Sequence, residues 1–395
     1  MNEYIEYILS TYGWLGIGLT ASLLFFFVMQ MCYYVGNYRT IAKYKDSSRP
    51  EIRHEIPPVS VIVPLFTDDY PFLDERLPLY IAQEGVEFEV VIVYVGSNND
   101  FYDDIQRLHQ MLPNVVVTRI QTNPQFPISI KTALNIGIKA ANHECMIFTS
   151  PDCYPLSERW LSLMASGFKR GDVVLGYTGL ESDKGVGRYF MRAHRMMGSA
   201  VWLSRAIKGK PYRGHYTNIG WTKSQYYEAK GFSHLNMHIG VDDLYIQRLL
   251  SKEVNPPHVS VVVSPRAALN QICWGSIGWW TEQFRFFRSG FKFYPFRAKL
   301  FERWELRSRV LFGLLTLLSV ILLPLKIKIG AIVLFIIRAI VVSLVVKKIA
   351  KRLGEGNMIK RYGMADILIP LYVMSMDIWL RFKHNPKVWS RNSAK

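Results

Sequence analysis

The chain has 395 residues, half of them hydrophobic, and a formal net charge of +17 at pH 7. This length suffices for two domains or for one domain with membrane segments, and the slightly positive mean hydropathy is high for a purely soluble protein. The basic residues cluster beside apolar runs, at 39–53 and 347–352, as cations that anchor a membrane segment do. That placement argues against a nucleic-acid partner. Four scattered cysteines without CxxC spacing indicate free thiols in a reducing compartment.

Residues 1–36 are predicted to form an N-terminal transmembrane helix. The stretch from Tyr7 to Tyr38 carries no charge and exceeds the roughly 20 residues that a helix needs to cross a bilayer. It lacks the basic leader and small-residue cleavage site of a signal peptide. Acidic residues precede it and basic residues follow it, so the positive-inside rule places the N-terminus outside and the chain after residue 40 in the cytoplasm. Residues 37–56 are predicted to be a basic juxtamembrane linker.

Residues 57–268 alternate short β-branched runs with stretches of helical apolar spacing. "PPVSVIVPLF", "FEVVIVYVGSNND", "NVVVTRI" and "CMIFTSPD" predict strands, and "ISIKTALNIGIKAANH" between them predicts a helix. The alternation indicates βαβ units, and hence an α/β domain with a mostly parallel, Rossmann-like sheet. Ligands of such sheets bind at the carboxyl ends of the strands, where Asp68, Asp69, Ser97 and Asp152 fall.

The remaining chain is predicted to be associated with the membrane. Residues 269–305 are dense in aromatic and basic residues, which is typical of interfacial amphipathic helices, although an ordinary aromatic core segment has the same composition. Residues 306–395 form a C-terminal membrane region: a hairpin at about 309–347 and a re-entrant or interfacial helix at about 364–382. Arg338 lies inside the hairpin, where a charge is costly, so we expect it to face a partner.

The order of these motifs resembles family 2 glycosyltransferases of the GT-A fold, anchored in the bacterial inner or plasma membrane with a cytoplasmic catalytic domain. The resemblance covers about residues 57–300 and is nearest to the synthase-like branch that includes cellulose and poly-N-acetylglucosamine synthases. It implies a multi-pass membrane protein that takes a nucleotide-sugar donor and forms a β-glycosidic bond with inversion. It also implies a lipid-linked or glycan acceptor and, as further partners, other glycan-assembly proteins.

On the donor side, the resemblance assigns the nucleotide to Pro64 and Phe66 in "VSVIVPLFTDD", although Phe66 also suits a core ring. The family usually carries an acid in "DDGS", where this chain has Tyr94, which brings a hydroxyl but no charge. In "IKTALNIGI", Lys131 and Asn135 match the family's "K..ALN.G" near the donor phosphates. Four residues apart, they share one helix face, as a solvated lysine and a turn asparagine also would.

The family's Asp-x-Asp, which binds Mg²⁺ or Mn²⁺, aligns with "SPD" at the end of the fourth strand. Ser150 replaces the first acid, and Asp152 is the remaining metal ligand. One carboxylate holds such an ion together with phosphate oxygens, but more weakly than two. The three histidines His215, His234 and His238 have no cysteine nearby and are interpreted as loop histidines rather than zinc ligands.

The acceptor side is implied by two further segments. Asn218 and Trp221 stand in "NIGW", which resembles the family's acceptor loop. The synthase-like branch carries Gln-x-x-Arg-Trp on an interfacial helix, and the aligned residues are Glu282, Arg285 and Phe286. Arginine meets a diphosphate bidentately, and phenylalanine stacks on a sugar, so Arg285 is assigned to the donor and the other two to the acceptor side. Glu282 is expected to repel a phosphate unless it points elsewhere.

The general base is implied by "VDDLYIQRLL". In the family an acid at the start of this helix takes the proton from the acceptor hydroxyl, and Asp242 falls in that position, with Asp243 as the fallback. Adjacent acids at a helix start are also ordinary capping residues. The alternative to an active enzyme is a catalytically degenerate homologue that acts as a membrane scaffold or a nucleotide-sugar-binding subunit.

Overall fold

The computed structural model describes residues 2–45, 51–122, 128–181, 185–232, 258–356, 358 and 362–382. The chain divides into two compact units. The helical unit is Met1–Lys43 with Phe296–Lys351 and Gly356–His384. The α/β unit is Tyr44–Pro295 with Arg352–Glu355.

The strands are short and mostly apolar. In chain order they are β1 (Val59–Leu65), β2 (Phe88–Val95), β3 (Val115–Ile120), β4 (Cys145–Phe148), β5 (Cys153–Pro155), β6 (Val173–Leu175), β7 (Thr178–Leu180), β8 (Ile219–Thr222), β9 (Val259–Val261) and β10 (Leu269–Gln271). The helices are α1 (Asn2–Met31), α2 (Arg39–Lys43), α3 (Leu77–Ile81), α4 (Asn99–Met111), α5 (Ile130–Ala140), α6 (Trp160–Gly167), α7 (Val186–Ile207), α8 (Lys223–Glu228), α9 (Ile277–Ser289), α10 (Phe296–Leu322), α11 (Leu325–Leu353) and α12 (Tyr362–Phe382).

Seven strands form one sheet in the order β3-β2-β1-β4-β8-β6-β9. The first four are mutually parallel, whereas β8 is antiparallel to both of its neighbours. Every residue of β1 is buried, as a continuous apolar strand covered on both faces requires. The predicted mostly parallel α/β sheet is confirmed. The chain winds from β1 outward to β3 and then returns to place β4 on the other side of β1, so the strand order reverses between β1 and β4.

Helix α5 lies directly on this sheet. A Cβ atom at Gly137 would come within 2.6 Å of Ile62 Cγ2 and 2.9 Å of Val93 Cγ2, so only glycine permits the approach. Ser129 caps the helix by accepting a hydrogen bond from the Thr132 amide.

A second sheet joins three short strands from distant parts of the chain. β10 pairs antiparallel with β5 and parallel with β7, in the order β5-β10-β7. Its register places Gln271 opposite Cys153, next to Asp152. The predicted boundary at residue 268 therefore separates β10 from strands with which it pairs.

Among the described residues, three helical segments are long and apolar enough to cross a membrane: Gly13–Lys43, Leu325–Leu353 and Tyr362–Leu380. The last coincides with the segment predicted to be re-entrant or interfacial; its length and composition also fit a crossing, and its path stays a prediction. The boundary between the interfacial and membrane regions was predicted at residue 305, and helix α10 runs unbroken through that residue. The helix ends before Pro324, as helices ordinarily do.

Arg338 of α11 faces a partner, as expected. Its Nη1 donates to Asp366 Oδ2 at 2.6 Å, and its Nη2 donates to Gln30 Oε1 at 2.9 Å. Arg309 also reaches Asp366, at 3.3 Å, and pairs with Glu305. Two arginines and two acids thus form a buried, charge-balanced cluster within the helical unit.

Candidate functional site

A cavity of about 170 Å³ opens where the strand order of the large sheet reverses. In open α/β sheets this position is the ordinary ligand site. One wall follows β1, and the other follows β4, while α5 and β8 supply the remainder. The lining residues are Pro64, Phe66, Thr67, Ile130, Leu134, Phe148, Thr149, Ser150, Pro151, Tyr216, Ile219 and Trp221.

Aromatic rings dominate one side of this cavity. The Trp221 and Phe148 rings lie 4.1 Å apart between centroids and 35° from parallel, on the antiparallel strands β8 and β4. Tyr216 extends the aromatic wall towards Phe286 of α9, with centroids 6.0 Å apart. Flat rings at a sheet edge suit a nucleobase or the apolar face of a sugar. Three predicted site residues (Pro64, Phe66 and Trp221) line the cavity together.

Asn218 does not line the cavity. It is fully buried, its Oδ1 accepts from Trp160 Nε1 at 3.1 Å, and its Nδ2 donates to the carbonyl oxygens of Tyr177 and Ala267. All of these partners belong to the protein, so its position fits a structural role that ties β8 to the neighbouring loops.

The end of β4 forms a tight turn that carries Asp152. The Ser150 carbonyl accepts from the Cys153 amide at 2.9 Å, which closes the turn. Asp152 is half-buried, its Oδ2 accepts from Gln271 Nε2 at 2.8 Å, and its Oδ1 lies 3.6 Å from Cys153 Sγ. Burial raises the pKa of the Cys153 thiol well above its usual range, so this thiol stays protonated. It is then only a weak donor to Oδ1.

The donor set near Asp152 fits a hard cation only in part. Within the described residues, no group of three or more His, Cys, Asp or Glu side chains is placed to hold a metal ion. The Asp152 carboxylate and the Ser150 hydroxyl are hard oxygen donors of the kind that Mg²⁺ and Mn²⁺ prefer. Such an ion therefore needs phosphate oxygens from a ligand to complete its shell.

Tyr94 at the end of β2 supports a carboxylate from the neighbouring turn. Its hydroxyl donates to Asp68 Oδ1 at 2.7 Å, and Asn98 Nδ2 donates to Asp68 Oδ2 at 3.0 Å. Burial and the hydrogen bond to Asp68 raise the pKa of Tyr94 to about 12, so the phenol remains a neutral donor. The exposed Asp68 side chain is thus held by uncharged groups at the strand ends.

Lys131 and Asn135 lie on α5 but do not line the cavity. Lys131 is buried and Asn135 half-buried, whereas Ile130 and Leu134, one position earlier in each case, face the cavity. The shared face predicted for the two polar residues therefore lies about 100° around the helix from the lining face.

Glu282 and Arg285 of α9 pair with each other. Arg285 Nη1 lies 3.2 Å from Glu282 Oε2, three residues away. The acid that was expected to repel a phosphate therefore neutralises the arginine that was assigned to bind it.

Arg195 and Gln271 were not predicted as site residues. His215 lies in the loop between α7 and β8, where it is buried and hydrogen-bonded to Arg195 and Thr217. Arg195 and Gln271 are also buried, and Gln271 connects Arg195 to Asp152. A buried arginine inside an amphipathic helix pattern gives no signal that separates it from a solvated one. His234, His238, Asp242 and Asp243 lie outside the described residues.

The comparisons with known proteins agree with this geometry. Residues 60–232, slightly less than half of the chain, match the model described as Glycosyl transferase family 2. No curated protein matches the chain.

Among solved structures, the chain is similar to the mannosyltransferase PcManGT from Pyrobaculum calidifontis in complex with GDP-Man and Mn²⁺. The identity is 14%, the TM-score is 0.51, and the match covers 90% of this chain and 99% of that one. A second similar structure is S. aureus TarS 1-349, with 18% identity, a TM-score of 0.39, and coverage of 78% of this chain and 91% of that one. The first likeness shows the fold, which is GT-A.

Proposed function

We propose that this chain is a membrane-bound inverting glycosyltransferase. It moves a sugar from a nucleotide-diphospho-sugar to a lipid-linked or glycan acceptor and forms a β-glycosidic bond. The observation that carries the proposal is the aromatic cavity at the strand-order reversal, within the segment that matches glycosyl transferase family 2. Assignment to the synthase-like branch, a cytoplasmic catalytic domain and other glycan-assembly partners belong to the proposal as well.

On the donor side, the nucleobase lies against Phe66 beside Pro64, at the wall that follows β1. Asp68, held by Tyr94 and Asn98, supplies the carboxylate that the chain lacks in the second strand-end motif. A carboxylate there accepts the ring N–H of a base such as uracil or guanine. Lys131, Asn135 and Arg285 are assigned to the phosphate side, and Arg285 must exchange Glu282 for phosphate oxygens when donor binds.

Asp152, with the phosphates of the donor, is the residue that holds Mg²⁺ or Mn²⁺. When bound, such an ion neutralises charge that develops on the departing diphosphate. The PcManGT structure holds Mn²⁺ with GDP-Man, which supports a metal in the same fold.

On the acceptor side, the acceptor sugar lies near Trp221, Glu282 and Phe286, and Asn218 shapes that side from within the core. Asp242 takes the proton from the acceptor hydroxyl, and Asp243 is the fallback. The hydroxyl oxygen forms the new bond to the anomeric carbon as the bond to the diphosphate breaks, and the diphosphate leaves with the electron pair. A positioned general base of this kind typically contributes about 10²–10⁴ in rate.

The Glu282–Arg285 pair favours a second candidate, a degenerate homologue that acts as a scaffold. A cation already paired with an acid has less attraction for a diphosphate, and Ser150 removes one metal carboxylate. Such a protein binds neither nucleotide nor metal with useful affinity.

The test is transfer or hydrolysis from a panel of UDP-, GDP- and other nucleotide-sugars with Mn²⁺, comparing wild type with Asp242→Asn and Asp243→Asn. We expect turnover with at least one donor and a loss of about 100-fold or more in the variant that lacks the base. Asp103→Asn removes an exposed acid on α4 and serves as the matched control, with unchanged activity. Equal turnover in all four proteins refutes the base assignment. Absence of turnover, together with absence of a melting shift with any nucleoside diphosphate and Mn²⁺, refutes the enzyme and favours the scaffold.

A further inference from the structure

Arg195 of α7 is a buried cation without a carboxylate partner among the described residues. Its guanidinium donates to His215 Nε2 and, at 3.1 Å, to Gln271 Oε1. The rings of Trp280 and Phe287 on α9 cover it, each with its centroid 5.5 Å from the guanidinium carbon. Burial lowers the pKa of Arg195 because water no longer solvates the charge. A buried charge is costly unless an opposite charge lies within reach.

His215 cannot supply that opposite charge. An arginine only donates hydrogen bonds, so His215 Nε2 accepts, and the ring proton lies on Nδ1, which donates to Thr217 Oγ1 at 2.8 Å. Burial and the charge of Arg195 lower the pKa of His215 well below its usual range, which keeps the ring neutral. Asp152, which Arg195 reaches through Gln271, is a carboxylate whose charge favours the charged form of Arg195.

Gln271 connects Arg195 to Asp152 in one orientation only. Its Oε1 must face the guanidinium, which cannot accept, and its Nε2 must face the carboxylate, which cannot donate. The amide dipole is therefore aligned between a cation and an anion. The charge on each of these two groups stabilises the charge on the other, because the hydrogen bonds of the chain polarise one another. The small sheet fixes Gln271 in this place, since β10 pairs with β5 directly after Asp152.

We propose that Arg195 and Gln271 are a positioning pair for Asp152. They hold Oδ2 from inside the protein, which leaves Oδ1, 3.6 Å from the weakly donating Cys153 thiol, as the oxygen that binds a divalent cation carried by a nucleoside diphosphate. With one carboxylate in place of two, the site depends on this single oxygen being held in orientation. Partners that orient a metal ligand typically change metal affinity by about 10–100-fold when they are removed. The pair rests on the proposed function, which supplies the diphosphate.

The test is Mn²⁺ binding to the full-length protein in detergent, with UDP and with GDP in turn, followed by the electron paramagnetic resonance signal of free Mn²⁺. We expect Gln271→Leu and Arg195→Met to weaken Mn²⁺ binding about 10-fold or more, and Arg195→Lys to restore part of the loss. Gln271→Leu should not weaken Mn²⁺ binding further in an Asp152→Asn background, because the carboxylate that it positions is already absent.

Gln83→Leu is the matched control. Gln83 is also buried and donates to the Leu79 and Ser157 carbonyls, but it makes no hydrogen bond to Asp152. The Gln83→Leu substitution should lower the melting temperature without changing Mn²⁺ affinity. A Gln271→Leu protein that melts like Gln83→Leu and binds Mn²⁺ within about twofold of wild type overturns the pair.

The outcomes separate the pair from the proposed function. If wild type transfers sugar and Gln271→Leu binds Mn²⁺ as tightly as wild type does, the positioning role is refuted and the proposed enzyme activity is supported. If Gln271→Leu binds Mn²⁺ more weakly but wild type transfers no sugar, the positioning role is supported and the proposed enzyme activity is refuted. Absence of Mn²⁺ binding in wild type, with either nucleotide, overturns the pair.

Discussion

Removal of the Asp366 carboxylate tests the charge-balanced cluster of the helical unit. Asp366 accepts from Arg338 at 2.6 Å, from Arg309 at 3.3 Å and from the Tyr34 hydroxyl at 2.8 Å. The side chains of Arg309, Arg338, Glu305 and Asp366 are between 2% and 7% exposed, so water contributes little to their solvation. Two positive and two negative charges cancel within this cluster.

The substitution Asp366→Asn leaves the cluster with a net charge of +1. Arg309 keeps Glu305, but Arg338 loses its only carboxylate partner among the described residues. Breaking a buried ion pair by removing one partner destabilises a protein by about 3–5 kcal/mol, because the remaining charge is uncompensated. We expect a loss of that size in the free energy of unfolding, measured by titration with dodecyl sulfate in mixed micelles.

The double variant Arg338→Met/Asp366→Leu is the control that isolates the charge. It removes one cation and one anion and leaves the neutral Arg309–Glu305 pair, and replacement of a whole buried pair by apolar residues is often neutral or stabilising. It should therefore unfold at a higher free energy than Asp366→Asn alone. A loss below about 0.5 kcal/mol in Asp366→Asn, the size of an ordinary surface substitution, would refute the reasoning.

Two other changes act on the α/β unit. Gly220→Ala would place a Cβ atom 2.8 Å from the Met146 carbonyl oxygen, so we expect the free energy of unfolding, measured by thermal denaturation, to fall by about 1–3 kcal/mol. Gly198→Ala is the control and should not lower it, because a Cβ atom there meets open space. The neutral Tyr94 phenol, with its pKa raised to about 12, stabilises the fold fully below about pH 10 and loses that contribution as the pH rises through 12. Tyr94→Phe, which cannot ionise beside Asp68, should therefore lose less stability than wild type between those pH values; an identical loss would count against the hydrogen bond.

The large sheet was predictable because its strands carry a strong local pattern. β1 and β2 are runs of seven and eight residues, almost all buried, and a continuous apolar run between turns is the expected pattern of a doubly covered strand. Pro64 and Phe66 could be placed at the site for the same reason, since residues at the end of β1 must reach the ligand edge. The need of Arg338 for a partner followed from the cost of a charge among apolar residues.

The small sheet was not predictable, and with it the surroundings of Asp152 were missed. β5, β7 and β10 have three residues each, too few to show a period, and β10 pairs with strands that lie about 90 and more than 110 residues earlier in the chain. Gln271 meets Asp152 only through this pairing. Asn218 matched a family pattern, but a pattern does not distinguish a side chain that faces the pocket from one whose hydrogen bonds all point into the core.

The departures from the family motifs differ in how far neighbouring residues offset them. Tyr94 replaces an acid but holds the carboxylate of Asp68 at the same edge, and Glu282 replaces an amide but is neutralised by Arg285. Ser150 has no such offset, because a hydroxyl does not replace the charge of a carboxylate. The buried polar contacts that Arg195 and Gln271 make behind Asp152 stabilise the fold whether or not chemistry takes place there, since a buried polar contact is costly when incomplete. An enzyme and a scaffold are therefore distinguished by nucleotide and Mn²⁺ binding, and not by the presence of these contacts.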